Sequence, residues 1–185
     1  MESVRAVRQF ALGFAFCAAL LVGGCSGSGD AVDSSDIGEP ADSSDVGGSR
    51  TINGLVVEAG ADLTGTNLTG ADLSGLYLVG VNFSEANLTD ANLSGADLSG
   101  ASFYDANLYQ ANLSGANLNV ANMHRADLTD ANLSGADLSG ADLSGTFMIN
   151  ANFRDAMLIG ADFSRSNRTN ADFSGATMPD GTKNP

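Results

Sequence analysis

Between Ala61 and Asp180 the chain repeats every five residues, a period that excludes the two commonest ways of burying an apolar face. An α-helix returns a side chain to one face about every 3.6 residues and a strand every second residue. The stretch ADLSGADLSG, residues 136–145, shows the unit in its plainest form. With its third residue taken as the centre, centres recur at 63, 68, 73 and onward to 178. Of these 24 centres, 23 are Leu, Phe or Met, and Arg168 alone breaks the rule. The residue two before the centre is Ala in 19 of 24 units, and the one immediately before it is Asn or Asp in 19 of 24. Ser or Thr usually follows the centre, and then often Gly. Self-similarity of this kind over 120 residues indicates a solenoid whose repeats bury their apolar side chains against their neighbours.

The unit A(D/N)LXX, running from 61 to 180 without insertion, resembles the pentapeptide-repeat family. The resemblance implies an all-β fold, a right-handed quadrilateral β-helix with four pentapeptides per coil. It gives about six coils and a tower ~29 Å tall at the spacing of stacked strands. The residue chemistry points the same way. Large centres and an Ala two places earlier alternate bulk in a narrow prism. Residues twenty apart then stack, as in Leu63, Phe83, Phe103, Met123, Leu143 and Phe163. Outside, Asn92, Asn112, Asn132 and Asn152 form an amide ladder. Residues 51–60, with Ile52, Leu55, Val56 and Val57, are expected to cap the first coil, and 181–185 form a short tail. Pro179 and Pro185 discourage further strand addition. Many family dimers join through C-terminal elements. No amphipathic C-terminal helix is present, which leaves a monomer or an end-to-end dimer. Arg168 reaches out of the open end, or the segment SRSNRT bulges outward.

The N-terminus reads as an address. Arg5 and Arg8 precede an apolar run of thirteen residues, Phe10 to Val22, too short for the roughly 20 apolar residues of a membrane span. The run ends in VGGC, Val22 to Cys25, which resembles the lipobox of bacterial lipoproteins, with Val in place of the commoner Leu. That resemblance implies removal of residues 1–24 and lipid on Cys25, so that the membrane is one partner. The expected location is the outer face of a bacterial membrane, in the cell envelope. Residues 25–50, rich in Ser, Gly and Asp and without aromatics, form an acidic flexible tether.

The chain has 22 acidic and 8 basic residues, a formal charge of −14. That balance argues against nucleic-acid binding, which needs clustered Lys and Arg. The two cysteines, Cys17 and Cys25, both precede the repeat, so neither a disulfide nor a thiolate metal site is expected within it. A prism filled by its own side chains offers no concave site, and no nucleotide or metal motif is present, so neither an enzyme nor a cofactor is expected. His124 is the sole histidine, and on a coil of twenty residues Tyr104 and Ser144 are its neighbours. A Ser beside a His fits a nucleophile with its base. Ser or Thr follows most centres, however, so any His there gains such a neighbour. Tyr104, Tyr109 and His124 are candidate partner contacts. So are Phe147 and Ile149 on one side of the prism and Met157 and Ile159 on the opposite side.

The expected function is that of a non-catalytic structural or protein-interaction module at the cell envelope, with a protein partner of unknown identity. The alternative is an acidic imitation of DNA. Some members of the family bind gyrase this way, and residues 61–180 carry a net charge of −10. The export signal opposes it, because gyrase is cytoplasmic.

Overall fold

The computed structural model describes residues 49–185 except 53. The leader, Cys25 and the expected tether up to residue 48 lie outside the described residues. From Asp62 to Met157, each residue that precedes a centre forms a parallel bridge with the residue twenty positions later, as in Asp72↔Asn92↔Asn112↔Asn132↔Asn152↔Asp172. Bridges fall in four columns, so the coil has four sides and twenty residues. The sides are numbered by their centres: the first begins at Leu63, the second at Leu68, the third at Leu73 and the fourth at Leu78.

Backbone hydrogen bonds explain why five residues suffice for one side. In the unit Ala91–Gly95, the Asn92 N–H donates to the Ala71 carbonyl one coil below at 2.8 Å. The Leu93 and Gly95 N–H groups donate upward to Asn112 and Ser114 at 2.7 and 2.9 Å. Ala91 closes the preceding turn by donating to the Leu88 carbonyl at 3.0 Å. Four of the five donors thus find backbone acceptors. The fifth, Ser94 N–H, donates to the Asn92 side-chain oxygen at 3.2 Å. Asn and Asp are suited to this, because their short side chains accept from the backbone two residues on.

The turn needs a left-handed residue two places after the centre. Glycine supplies it at Gly95 (φ 65°), where no steric cost arises. Among the described residues, eleven non-glycine residues adopt positive φ. Most are Asp or Asn, which tolerate it best, and the β-branched Val120 at φ 51° is strained.

The core is the stack of centres with the Ala residues two before them. Centres from Leu63 to Leu158 are buried, as is nearly every residue two before a centre. Aromatic centres stack along the axis, Phe83 on Phe103 at 5.4 Å and Phe153 on Phe173 at 4.9 Å. Each buried centre contributes about 1.5–3 kcal/mol.

The two ends are closed differently. At the N-terminus β1 (Arg50–Ile52) and β2 (Leu55–Val57) form an antiparallel hairpin. Ile52, Leu55 and Val57 pack on the core, whereas Val56 points outward because successive strand residues alternate. Arg50, which sequence alone assigns to the tether, belongs to this hairpin. Its guanidinium pairs with the Asp72 carboxylate at 3.3 Å and donates to the Asp72 carbonyl.

At the C-terminus the tail folds back on the third and fourth sides. Thr177 bridges Lys183 antiparallel, the Met178 N–H donates to Thr182 at 2.7 Å, and the Gly175 N–H donates to Asn184 at 2.9 Å. The short tail read from sequence thus supplies acceptors where no seventh coil exists. On the first and second sides of this last coil no described residue accepts from the N–H groups of Phe163 and Arg168. Arg168 is exposed there, its guanidinium 5.6 Å from the Phe163 ring centroid. The segment around it keeps its register, since Asn167 still bridges Phe147 and Ala171 still closes its turn on Arg168 at 3.1 Å. An outward bulge is therefore excluded.

Phe103→Ala opens a cavity above Phe83 and is expected to cost about 3–5 kcal/mol of unfolding free energy, measured by chemical denaturation.

Candidate functional site

What the tower shows to its surroundings is set by the residues flanking each centre. All nineteen Asn and Asp residues that precede a centre cap the N–H two residues on. The five remaining positions are Tyr77, Ser102, Phe147, Met157 and Thr177. The residues that follow those centres are Val79, Tyr104, Ile149, Ile159 and Pro179. Pro179 has no N–H to satisfy, and the other four are apolar or aromatic. Loss of the cap and gain of an apolar surface therefore coincide.

On the third side the expected amide ladder is present. Asn112, Asn132 and Asn152 each donate from Nδ2 to the Oδ1 of the Asn one coil below, at 3.2, 3.2 and 3.0 Å. Asn92 continues it to Asp72 at 3.2 Å. A second ladder, which the repeat pattern did not reveal, runs along the corner from Asn170 to Asn150 to Asp130 at 3.2 and 2.9 Å.

On the first side Tyr104 and His124 stack at 5.6 Å with an interplanar angle of 20°. His124 Nδ1 lies 2.7 Å from Ser144 Oγ, and Ser144 Oγ donates to Asp142 Oδ1 at 2.5 Å. The serine has one proton and spends it on Asp142, so His124 Nδ1 carries the hydrogen of the other bond. The order Asp–Ser–His is that of a turn cap extended by a histidine. A nucleophile needs the reverse, with its proton directed to the histidine and the carboxylate behind the ring. Arg125 pairs with Asp105 beside this cluster at 2.9 Å.

The apolar candidates separate as their spacing requires. On the second side Phe147 is 50% exposed, Ile149 is half-buried beside it, and Tyr109 lies two coils below Ile149. Met157 and Ile159 are on the fourth side, with Arg154 between the two groups and paired with Asp172 at 3.2 Å. Sequence reasoning passed over Tyr77 and Val120, which are 57% and 61% exposed and also belong to the fourth side. Their signal was available. Tyr77 replaces a capping Asn or Asp, and Val120 replaces the residue of a left-handed corner.

Among the described residues, no group of three His, Cys, Asp or Glu converges as metal ligands. Four carboxyls lie below their ordinary range. The Thr64 hydroxyl, then its N–H, lowers Asp62. Ser74 does the same for Asp72 and Ser174 for Asp172, with Arg50 and Arg154 adding to the effect. The Thr182 hydroxyl, then its N–H, lowers Asp180.

The chain belongs to the pentapeptide-repeat family: the repeat profile, in 8 copies, matches residues 59–84, 67–105, 82–119, 106–145 and 148–180. Solved structures similar to it are pentapeptide-repeat proteins, a family of right-handed quadrilateral β-helices. HetL of the cyanobacterium Nostoc sp. strain PCC 7120, a protein involved in heterocyst differentiation regulation, is 30% identical over 66% of this chain and 78% of its own, with a TM-score of 0.30. A pentapeptide-repeat protein of the Arabidopsis thaliana thylakoid lumen is 37% identical over 64% of this chain and 72% of its own, with a TM-score of 0.39. QnrB1, a plasmid-mediated fluoroquinolone resistance protein, is 22% identical over 65% of this chain and 71% of its own, with a TM-score of 0.43. No curated protein matches the sequence.

Two predictions follow from the caps and ladders. Asn112→Asp keeps the cap on Ser114 and removes the Nδ2 donor to Asn92. It is expected to cost about 0.5–1.5 kcal/mol, seen as a lower denaturation midpoint. The four lowered carboxyls bind protons less readily in the folded state than in the unfolded state. Their stabilisation is therefore complete above the unfolded value of about 4 and is lost as pH falls through the lowered folded values. Asn keeps each cap but carries no charge, so replacing Asp62, Asp72, Asp172 and Asp180 by Asn forgoes the ionised caps and the pairs with Arg50 and Arg154, and should lower the melting temperature at pH 7 modestly. The same variant should lose less than the parent on acidification to about pH 3.

Proposed function

We propose that the chain is a lipid-anchored, non-catalytic interaction module: a right-handed β-helix of six coils at the outer face of a bacterial membrane, presenting its sides to a protein partner. The observation that carries this reading is VGGC, Val22 to Cys25, directly after a thirteen-residue apolar run. In this reading residues 1–24 are removed and lipid on Cys25 holds the membrane. Several acyl chains, at about 0.8 kcal/mol per buried CH₂, give stable attachment. Residues 25–49 act as a spacer of ~25–30 Å root-mean-square reach, and the hairpin from Arg50 with the residues up to 60 closes the tower.

The filled core supports a role without catalysis. Centres and alanines occupy the axis, so the sides are what another molecule can meet. Tyr104, Tyr109, His124, Phe147, Ile149, Met157 and Ile159 are the proposed contacts. The second reading, a DNA-like acidic rod binding gyrase, draws on the net charge of −10 over residues 61–180.

Cys25→Ser is expected to move the protein from the membrane fraction and to abolish incorporation of labelled fatty acid. A wild-type protein that stays cytosolic at its unprocessed mass would overturn the anchor and leave the DNA-like reading in its place.

A further inference from the structure

The fourth side differs from the other three in composition, relief and strain. It carries Tyr77, Val120, Met157 and Ile159, four of the seven exposed large hydrophobic side chains among the described residues. Glycine lines both its edges, at five of the six corners before it (Gly75 to Gly175) and at Gly80, Gly100, Gly140 and Gly160 after it. The left-handed conformation alone does not demand this. The corner between the first and second sides holds the same φ with Glu85, Asp105, Arg125 and Arg165. Apart from Gly140, beside Val120, and Gly175, beside Asp155, the bare corners leave the fourth side flat to its margins and open to close approach by another backbone. The exceptions at those margins are Asp155, Asp180 and Val120, and Val120 is a β-branched residue held at φ 51°. Strain of this kind persists where a function retains it.

We propose that the fourth side is the interface of a parallel, side-by-side dimer of two copies of this chain. A two-fold axis running along the tower sets the residue before each centre opposite the residue after the same centre in the second copy. Rung by rung the side is then self-complementary. In the first coil Tyr77 meets Val79, and in the fifth Met157 meets Ile159. In the second coil the carboxylate of Asp97 faces the hydroxyl of Ser99; in the fourth Asp137 faces Ser139, whose proton is held by Asp137 of its own chain at 2.6 Å, so that rung matches by keeping the two carboxylates apart. In the third coil Asn117 faces Asn119. Turning one copy end for end instead places Asp97 against Asp137 twice, and like charges set the orientation against that arrangement. Val120 overhangs its edge and meets the corner at Gly115 of the second copy, where an added Cβ would find open space.

The contact is one pentapeptide wide and ~29 Å tall. That places it at the low end of specific interfaces, so the dimer is weak and concentration-dependent. The proposal does not depend on the lipid at Cys25.

The test is sedimentation equilibrium of the full chain in density-matched detergent. Wild type is expected to show a monomer–dimer equilibrium. Met157→Lys and Ile159→Asp should each weaken it at least tenfold. The double variant should restore it, because the two positions face each other across the axis only in the parallel arrangement. Val120→Gly should raise the melting temperature while weakening association, and Phe147→Asp, on another side, should leave association unchanged. Circular dichroism melts establish that every variant is folded. A monomer at all concentrations overturns the proposal. So does a dimer that survives Met157→Lys, one lost on Phe147→Asp, or a double variant that fails to recover.

Discussion

At nineteen of the twenty-four sides the N–H after the centre bonds to the Asn or Asp before it, and this cap is what the five-residue side depends on for its last donor. Stacking supplies backbone acceptors for four of five donors, and a fifth left open at every side would leave two dozen unpaired groups along the tower. The side-chain cap closes that account, and it does so equally well with Asn or Asp. This explains the acidity of the repeat without invoking a basic partner. Of its 14 acidic residues, eight cap turns. Five occupy left-handed corners, Glu85, Asp90, Asp105, Asp130 and Asp155, and Asp180 caps the turn of the tail. Every one of them has a local backbone role.

Once the side length is set at five residues, the core follows. A side of five residues turns one large and one small side chain inward, and the coil of twenty brings each onto its equivalent below. The ends are where this regularity has to be defended. The hairpin β1–β2 covers one, and the tail covers half of the other. At the uncovered half stands Arg168, the single charged centre, beside Arg165. A charge where the next coil would lay an apolar centre opposes strand addition at an open edge, as edge strands of natural sheets commonly do.

Much of this was legible in the sequence because the repeat is strict. The period gives the side, the Leu and Phe centres give the core, and Asn at 92, 112, 132 and 152 gives the ladder once the coil is known to hold twenty residues. What escaped depends on direction or on non-repeating segments. Val56 was grouped with its apolar neighbours, and only strand alternation turns it outward. Arg50 looked like tether, because its membership of the hairpin rests on Asp72, twenty-two residues away. The tail carries no repeat, so nothing local announced that Thr182 and Asn184 would accept from the last coil. Tyr77 and Val120 were hidden by attention to residues that looked out of place rather than to positions where a capping or corner residue was missing.

The coil of twenty and the unit of five also set how such a chain can change. Twenty residues gained or lost move the rest of the tower along its axis and leave every column aligned. Five residues gained or lost keep each cap and each centre satisfied, yet rotate all that follows by a quarter turn. The columns are then spliced, so that residues of one side continue the ladder of another. The fold is indifferent to that phase, whereas any surface spanning several coils depends on it entirely. Drift by single units would leave stability almost untouched while erasing whatever a side had come to recognise.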